Sequence, residues 1–150
     1  MILFTGSGGA GSDARGSLFE PEELGAQGGA NGGHAGGLGG SFIKVTIGSV
    51  FYMDGTLNAD GGAGSNHAGG GSGGSIWINV DDMRGHGDIR AVGGLGSEAA
   101  GGGSGGRIAL YTTSDNEYRG AFTVQNNSNN FRPYFVPNLC LTIDPVFARF

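Results

Sequence analysis

Residues 61–75 read GGAGSNHAGGGSGGS, and residues 93–107 read GGLGSEAAGGGSGGR. A looser copy, GGANGGHAGGLGGS, spans 28–41, so the blocks begin at 28, 61 and 93, a period of 32 to 33 residues. Spacing in that range predicts a solenoid, in which each repeat buries its apolar face only against the next.

The segment after each block alternates with period two. Ser41–Ile47 puts Ile43, Val45 and Ile47 on one face, Ser75–Val80 puts Ile76, Ile78 and Val80 there, and Arg107–Tyr111 puts Ile108 and Leu110 there. These read as strands with one buried face. A second, shorter strand signal precedes the next block at Gly55–Ala59, Gly87–Ala91 and Gly120–Val124, aligning Leu57, Ile89 and Phe122. Equivalent residues should stack as Ile43/Ile76/Ile108 and Leu57/Ile89/Phe122. No window carries a sustained helical period with a cap.

The expected fold is therefore all-β, a glycine-rich parallel β-helix or β-solenoid. Gly accounts for 35 of 150 residues. Held in register with strands, it predicts close backbone packing or positive φ rather than a linker. Polyglycine-II-like segments are the alternative for the blocks, although the glycines come as doublets and break a strict threefold rule. Residues 1–125 form the repeat region. Residues 126–150 differ: Phe131-Arg-Pro-Tyr-Phe-Val-Pro137 is aromatic and proline-rich, and Leu139, Leu141 and Ile143 alternate. That segment is expected to cap the solenoid or dock on a neighbouring subunit through Phe131, Tyr134, Phe135, Leu139, Leu141, Ile143, Phe147 and Phe150.

Net charge is −5, with Lys44 the single lysine and seven scattered arginines. No basic stripe exists to neutralise phosphates, so nucleic acid is not an expected partner. No apolar run reaches the roughly 20 residues of a membrane span. The lone Cys140 excludes an intrachain disulfide and reads as a small buried hydrophobe. Met1–Thr5 lacks the basic start of a signal peptide and leads straight into an incomplete glycine block, so the natural chain is expected to be longer.

The segments GSLFEP (16–21), DGTLNADGG (54–62) and the paired GGGSGG-[SR]-I motifs resemble glycine-rich repeat regions of large secreted or surface-exposed proteins of microbes and protists. The resemblance covers residues 6 to 111. It implies a β-helical structural stalk outside the cell or on its surface, without catalytic residues of its own.

Candidate sites are few. GSGGAG at 6–11 matches a dinucleotide fingerprint by letter but lacks the strand and helix that give it meaning. Residues 8–15 approach a calcium nonapeptide, with Asn66 and Glu98 as equivalents of Asp13. The aliphatic position is wrong and the period is not nine, so turn chemistry is preferred to Ca2+ and no cofactor is expected. His34 and His67 share a register, but Ala99 stands in the third copy, which favours a polar ladder over a metal. Asp81 and Asp82 face opposite ways on a strand, and Asp88 and Glu98 have no catalytic partner, so no enzyme is expected. Trp77 and Tyr111 face outward and could stack on sugars, stiffening of the strand edges being the plainer reading. Asn126 begins an Asn-X-Ser glycosylation pattern.

Two functions follow from these readings. The first is an extracellular structural subunit of a stalk, fibril or filament, self-associating through its open ends or by C-terminal strand exchange. The second is a glycine-rich adhesin, a carbohydrate- or receptor-binding tip with glycans as partners.

Overall fold

The computed structural model describes residues 17, 19–97, 100–114, 117–127 and 142–145. Its regular elements, all strands, are β1 (Phe42–Tyr52), β2 (Thr56–Asn58), β3 (Ser75–Gly85), β4 (Asp88–Arg90), β5 (Arg107–Thr112), β6 (Glu117–Tyr118), β7 (Ala121–Thr123) and β8 (Thr142–Pro145). One sheet has the order β1-β3-β5-β8, with β6 beside the end of β3. The other has the order β2-β4-β7. Every pairing is parallel.

The register aligns the residues whose spacing predicted it. Ile43 pairs with Ile76 and Ile76 with Ile108, while Leu57 pairs with Ile89 and Ile89 with Phe122. Their inner faces meet in one core that holds Ile76, Ile78, Val80, Met83, Ile89, Ile108 and Leu110, with Leu57 and Phe122 packed against it. Branched aliphatic residues suit such a pleated, half-buried surface. Burial grades with position in the sheet: Ile76 and Ile78 on β3 are 0% exposed, whereas Ile43, Val45 and Ile47 on β1 are only partly buried. Strand β3 has a neighbour on each side; β1, among the described residues, has one.

Between the strands run the glycine segments, and these are not strands. Within the first two blocks the chain folds back on itself at a turn. The first turn joins Asn31 and His34 by reciprocal backbone bonds, and the second closes from Ala68 N–H to the Ser65 carbonyl. Gly32 and Gly33 take φ of 57° and 85° in the first turn, and Asn66 and His67 take 46° and 64° in the second. Left-handed backbone is natural for Gly and uncommon for other residues, Asn and His being among the side chains that adopt it most readily.

Hydrogen bonds between glycine segments recur every three residues. The N–H groups of Gly37 and Gly40 donate to the carbonyls of Gly69 and Ser72; those of Gly70 and Gly73 donate to Gly101 and Ser104; those of Gly71 and Gly74 donate to Gly62 and Ala59. A pleated strand would return its bonds to one neighbour every two residues, so these segments bond in a different pattern from the sheets. They present their donors and acceptors in several directions. Residues 68–74 accordingly bond to five other segments, at 26–29, 37–40, 59–62, 91–94 and 101–104. A strand in a sheet can pair with two.

This arrangement explains the glycine. A Cβ on Gly71 would run into the backbone of Leu38, on Gly94 into that of Gly62, and on Gly103 into that of Gly71. Close approach is therefore the reason for the GGGSGG motifs. Positive φ among described glycines is confined to Gly32, Gly33 and Gly85, outside those motifs. The threefold order lies in the bonding, not in the spacing of glycine letters, since Ser72, Ala59 and Ala26 occupy positions in it too.

Of the C-terminal segment, Phe131, Tyr134, Phe135, Leu139, Leu141, Phe147 and Phe150 lie outside the described residues, as does Cys140. Ile143 lies on β8, whose backbone pairs with β5 of the same chain, Ile143 opposite Leu110.

Candidate functional site

The outer face of the larger sheet carries the rows Lys44/Trp77/Ala109 and Thr46/Asn79/Tyr111, fixed by the same register that aligns the core. Alternation along β3 turns Trp77 and Asn79 outward while Ile76, Ile78 and Val80 turn inward. Trp77 and Tyr111 therefore fall on a diagonal of neighbouring strands. With Asn79 they line one recess of about 380 Å³, completed by Ser17, Phe19 and Glu20.

Ser17 and residues 19–22 lie across this face. The Tyr111 hydroxyl donates to the Phe19 carbonyl, and Lys44 Nζ reaches Glu22 Oε1 at 2.9 Å. Pro21 is fully buried beneath the segment, whereas Phe19 stays 61% exposed at the rim. Ser17 Oγ accepts the N–H groups of Phe19 and Glu20, both at 3.2 Å, which shapes the turn that sets Glu20 beside the rings. Lys44 Nζ stands 3.6 Å from the centroid of the Trp77 ring, a cation–π contact. The indole Nε1 is buried and finds no hydrogen-bond partner among the described residues.

The other polar groups do different work. Asp60 accepts from Arg90 Nε at 2.8 Å through one oxygen and from the Val92 N–H at 2.7 Å through the other, tying successive segments together. Asp54 Oδ1 accepts the His86 N–H at the equivalent corner. Asp82 is 8% exposed and accepts from Arg84 Nε at 2.7 Å, while Asp81 faces solvent and receives Thr113 and Ser114. The bond to Asp82, aided by its charge and that of Glu117, raises Arg84 above the ordinary guanidinium pKa. The two aspartates thus lie apart, as alternation predicts.

His34 Nδ1 meets Asn66 Nδ2 at 3.2 Å, and Asn31 Nδ2 donates to the His67 carbonyl at 3.4 Å, so polar contacts tie the two turns together. Among the described residues no three His, Cys, Asp or Glu side chains come together as a metal site would need. Asp13, Glu98 and Ala99 lie outside those residues. Asn126 is exposed, three residues beyond the end of β7. No helix among the described residues is long and apolar enough to cross a membrane.

Sequence reading found Trp77 and Tyr111 but missed their neighbours. Asn79 was available from alternation, two residues beyond Trp77, and Lys44 from the register that sets it opposite Trp77. Ser17, Phe19 and Glu20 carry no periodicity that could have placed them there. No protein family, curated protein or solved structure matches the chain.

Proposed function

We propose that this chain is a structural segment of an extracellular or cell-surface stalk, fibril or filament, its paired strands and glycine segments forming successive rungs of a β-solenoid. The observation that carries the reading is the bonding of residues 68–74 to five other segments. In that arrangement the glycine blocks are polyglycine-II-like bars, cross-linked by backbone bonds in several directions rather than acting as flexible tethers. Stiffness then comes from the main chain, which suits a load-bearing rod poor in large side chains.

Growth by addition of further copies follows from the edges. Among the described residues nothing pairs with the outer edges of β1 and β2, and such edges accept another chain. At the opposite end, β8 occupies the edge of β5. Every copy carries the same slot in the same register, so exchange of β8 between copies would join them head to tail without closure. Electron microscopy of the purified chain tests the reading. Filaments with a regular axial repeat support it, and monodisperse particles at all concentrations sink it. Deleting residues 131–150 separates the two modes of growth: strand exchange requires assembly to stop, whereas end stacking allows it to continue.

A further inference from the structure

We propose that the recess between Trp77, Tyr111, Ser17, Phe19 and Glu20 binds a single neutral pyranose ring of a glycan, giving the scaffold a lateral attachment site. Its volume of about 380 Å³ is at the lower end for small-molecule sites, enough for one ring and not for an extended oligosaccharide. Trp77, Tyr111 and Phe19 supply flat apolar surface against which the C–H face of a pyranose packs. Between them stand an amide, a carboxylate and a hydroxyl, on Asn79, Glu20 and Ser17. Such a set offers both donors and acceptors to ring hydroxyls.

Charge selects among ligands. The lining contains one charged side chain, Glu20, and the nearest ammonium, Lys44, is engaged by Glu22 and by the Trp77 ring. A phosphate or sulfate would meet that carboxylate, and no cationic side chain is among the described lining residues. A quaternary ammonium would suit aromatic rings beside a carboxylate, but the Trp77 ring already carries the Lys44 charge 3.6 Å from its centroid, and a second cation there is repelled. A neutral polyol avoids both penalties. This inference does not depend on the scaffold reading: a rod that failed to polymerise could still hold the sugar, and a filament could fail to.

Trp77 is the only tryptophan in the chain, so its emission reports on this recess alone. The full chain is titrated with methyl α-glucopyranoside, methyl β-galactopyranoside and N-acetylglucosamine, and separately with choline. The expected result is a saturable spectral change with at least one sugar in the millimolar range and none with choline. Glu20→Gln and Asn79→Ala, both at exposed positions, should each weaken that binding about fivefold or more while leaving circular dichroism unchanged. Absence of a saturable change with every sugar, saturation by choline, or sugar affinity untouched by both substitutions would each overturn the proposal.

Discussion

The paired strands and the glycine segments solve one problem with opposite materials. In the sheets, Ile76, Ile78 and Ile89 exclude water with side chains, and backbone bonds run to neighbours on at most two sides. In the glycine segments the side chains are absent, the backbones touch, and one segment can bond to five. The difference teaches that burial in this chain has two currencies, apolar volume and hydrogen-bonded main chain. A substitution should act according to which of them it disturbs.

The largest expected effect is in the side-chain core. Ile78 is 0% exposed on the central strand, with Val45 and Leu110 as cross-strand partners. Ile78→Asp would bury an unpaired carboxylate and should cost about 4 kcal/mol or more, read as loss of the cooperative urea transition. Ile78→Ala, which only deletes volume, should cost about 3 kcal/mol. Equal midpoints for the two variants would show that this face is wet.

Next comes the main-chain region, where one methyl group should matter almost as much. Gly71→Ala would drive a Cβ into the Leu38 backbone, which has no rotamer to change, and should cost about 3 kcal/mol by overpacking. Gly48 has open space around it and ordinary φ, so Gly48→Ala should lie within about 0.5 kcal/mol of the parent. Chemical denaturation of the pair breaks or sharpens the comparison directly. If both glycines tolerate alanine alike, the close-packed account of the GGGSGG motifs fails.

The sheets were legible because alternation reports directly which side chains share a face. The glycine segments were harder to read. Glycine has no side chain to pattern, and the threefold order is carried by N–H and C=O groups that every residue has. Ser72 and Ala59 take part in it as fully as Gly71 does. What the sequence could show was that three blocks recur at one spacing, which was enough to align Ile43 with Ile76 and Ile108. The recess was half legible: Trp77 and Tyr111 sit on alternating strands, but Phe19 and Glu20 arrive from a segment placed by Pro21 burial and the Lys44–Glu22 pair, and these are tertiary facts.

Where the two regions join, Asp60 should show an intermediate cost. Its carboxylate serves both the Arg90 guanidinium and the N–H of Val92, itself 4% exposed. Asp60→Ala leaves that N–H without its acceptor and should cost about 2 kcal/mol. Asp60→Asn keeps an acceptor oxygen for Val92 and loses the charge, so about 1 kcal/mol is expected. Amide exchange at Val92 separates the roles. It should accelerate in Asp60→Ala and remain slow in Asp60→Asn, and equal protection in both would assign the carboxylate to Arg90 alone.

The smallest effect should come from Tyr118, where the side-chain core leans on a glycine carbonyl. Its ring packs edge-on against Phe122, with centroids 5.3 Å apart and an interplanar angle of 67°, and its hydroxyl donates to the Gly87 carbonyl. Burial pushes the phenol above its ordinary pKa, with Asp88 and then Asp54 adding to the shift. Because the folded chain holds this proton more tightly than the unfolded chain, the contribution is fully present below the unfolded value of about 10. It is lost as pH rises from there through the folded value. The parent should therefore lose stability above about pH 10 more steeply than Tyr118→Phe, which has no proton to release at this position. At neutral pH the variant should be less stable by about 1 kcal/mol, the net worth of the hydroxyl bond, and the gap should narrow as pH climbs. Urea midpoints of both proteins at a series of pH values from 8 to beyond 10 measure it. Parallel pH curves would mean that the Tyr118 hydroxyl ionises as freely in the folded chain as in the unfolded one, and that the corner at Gly87 is open to water.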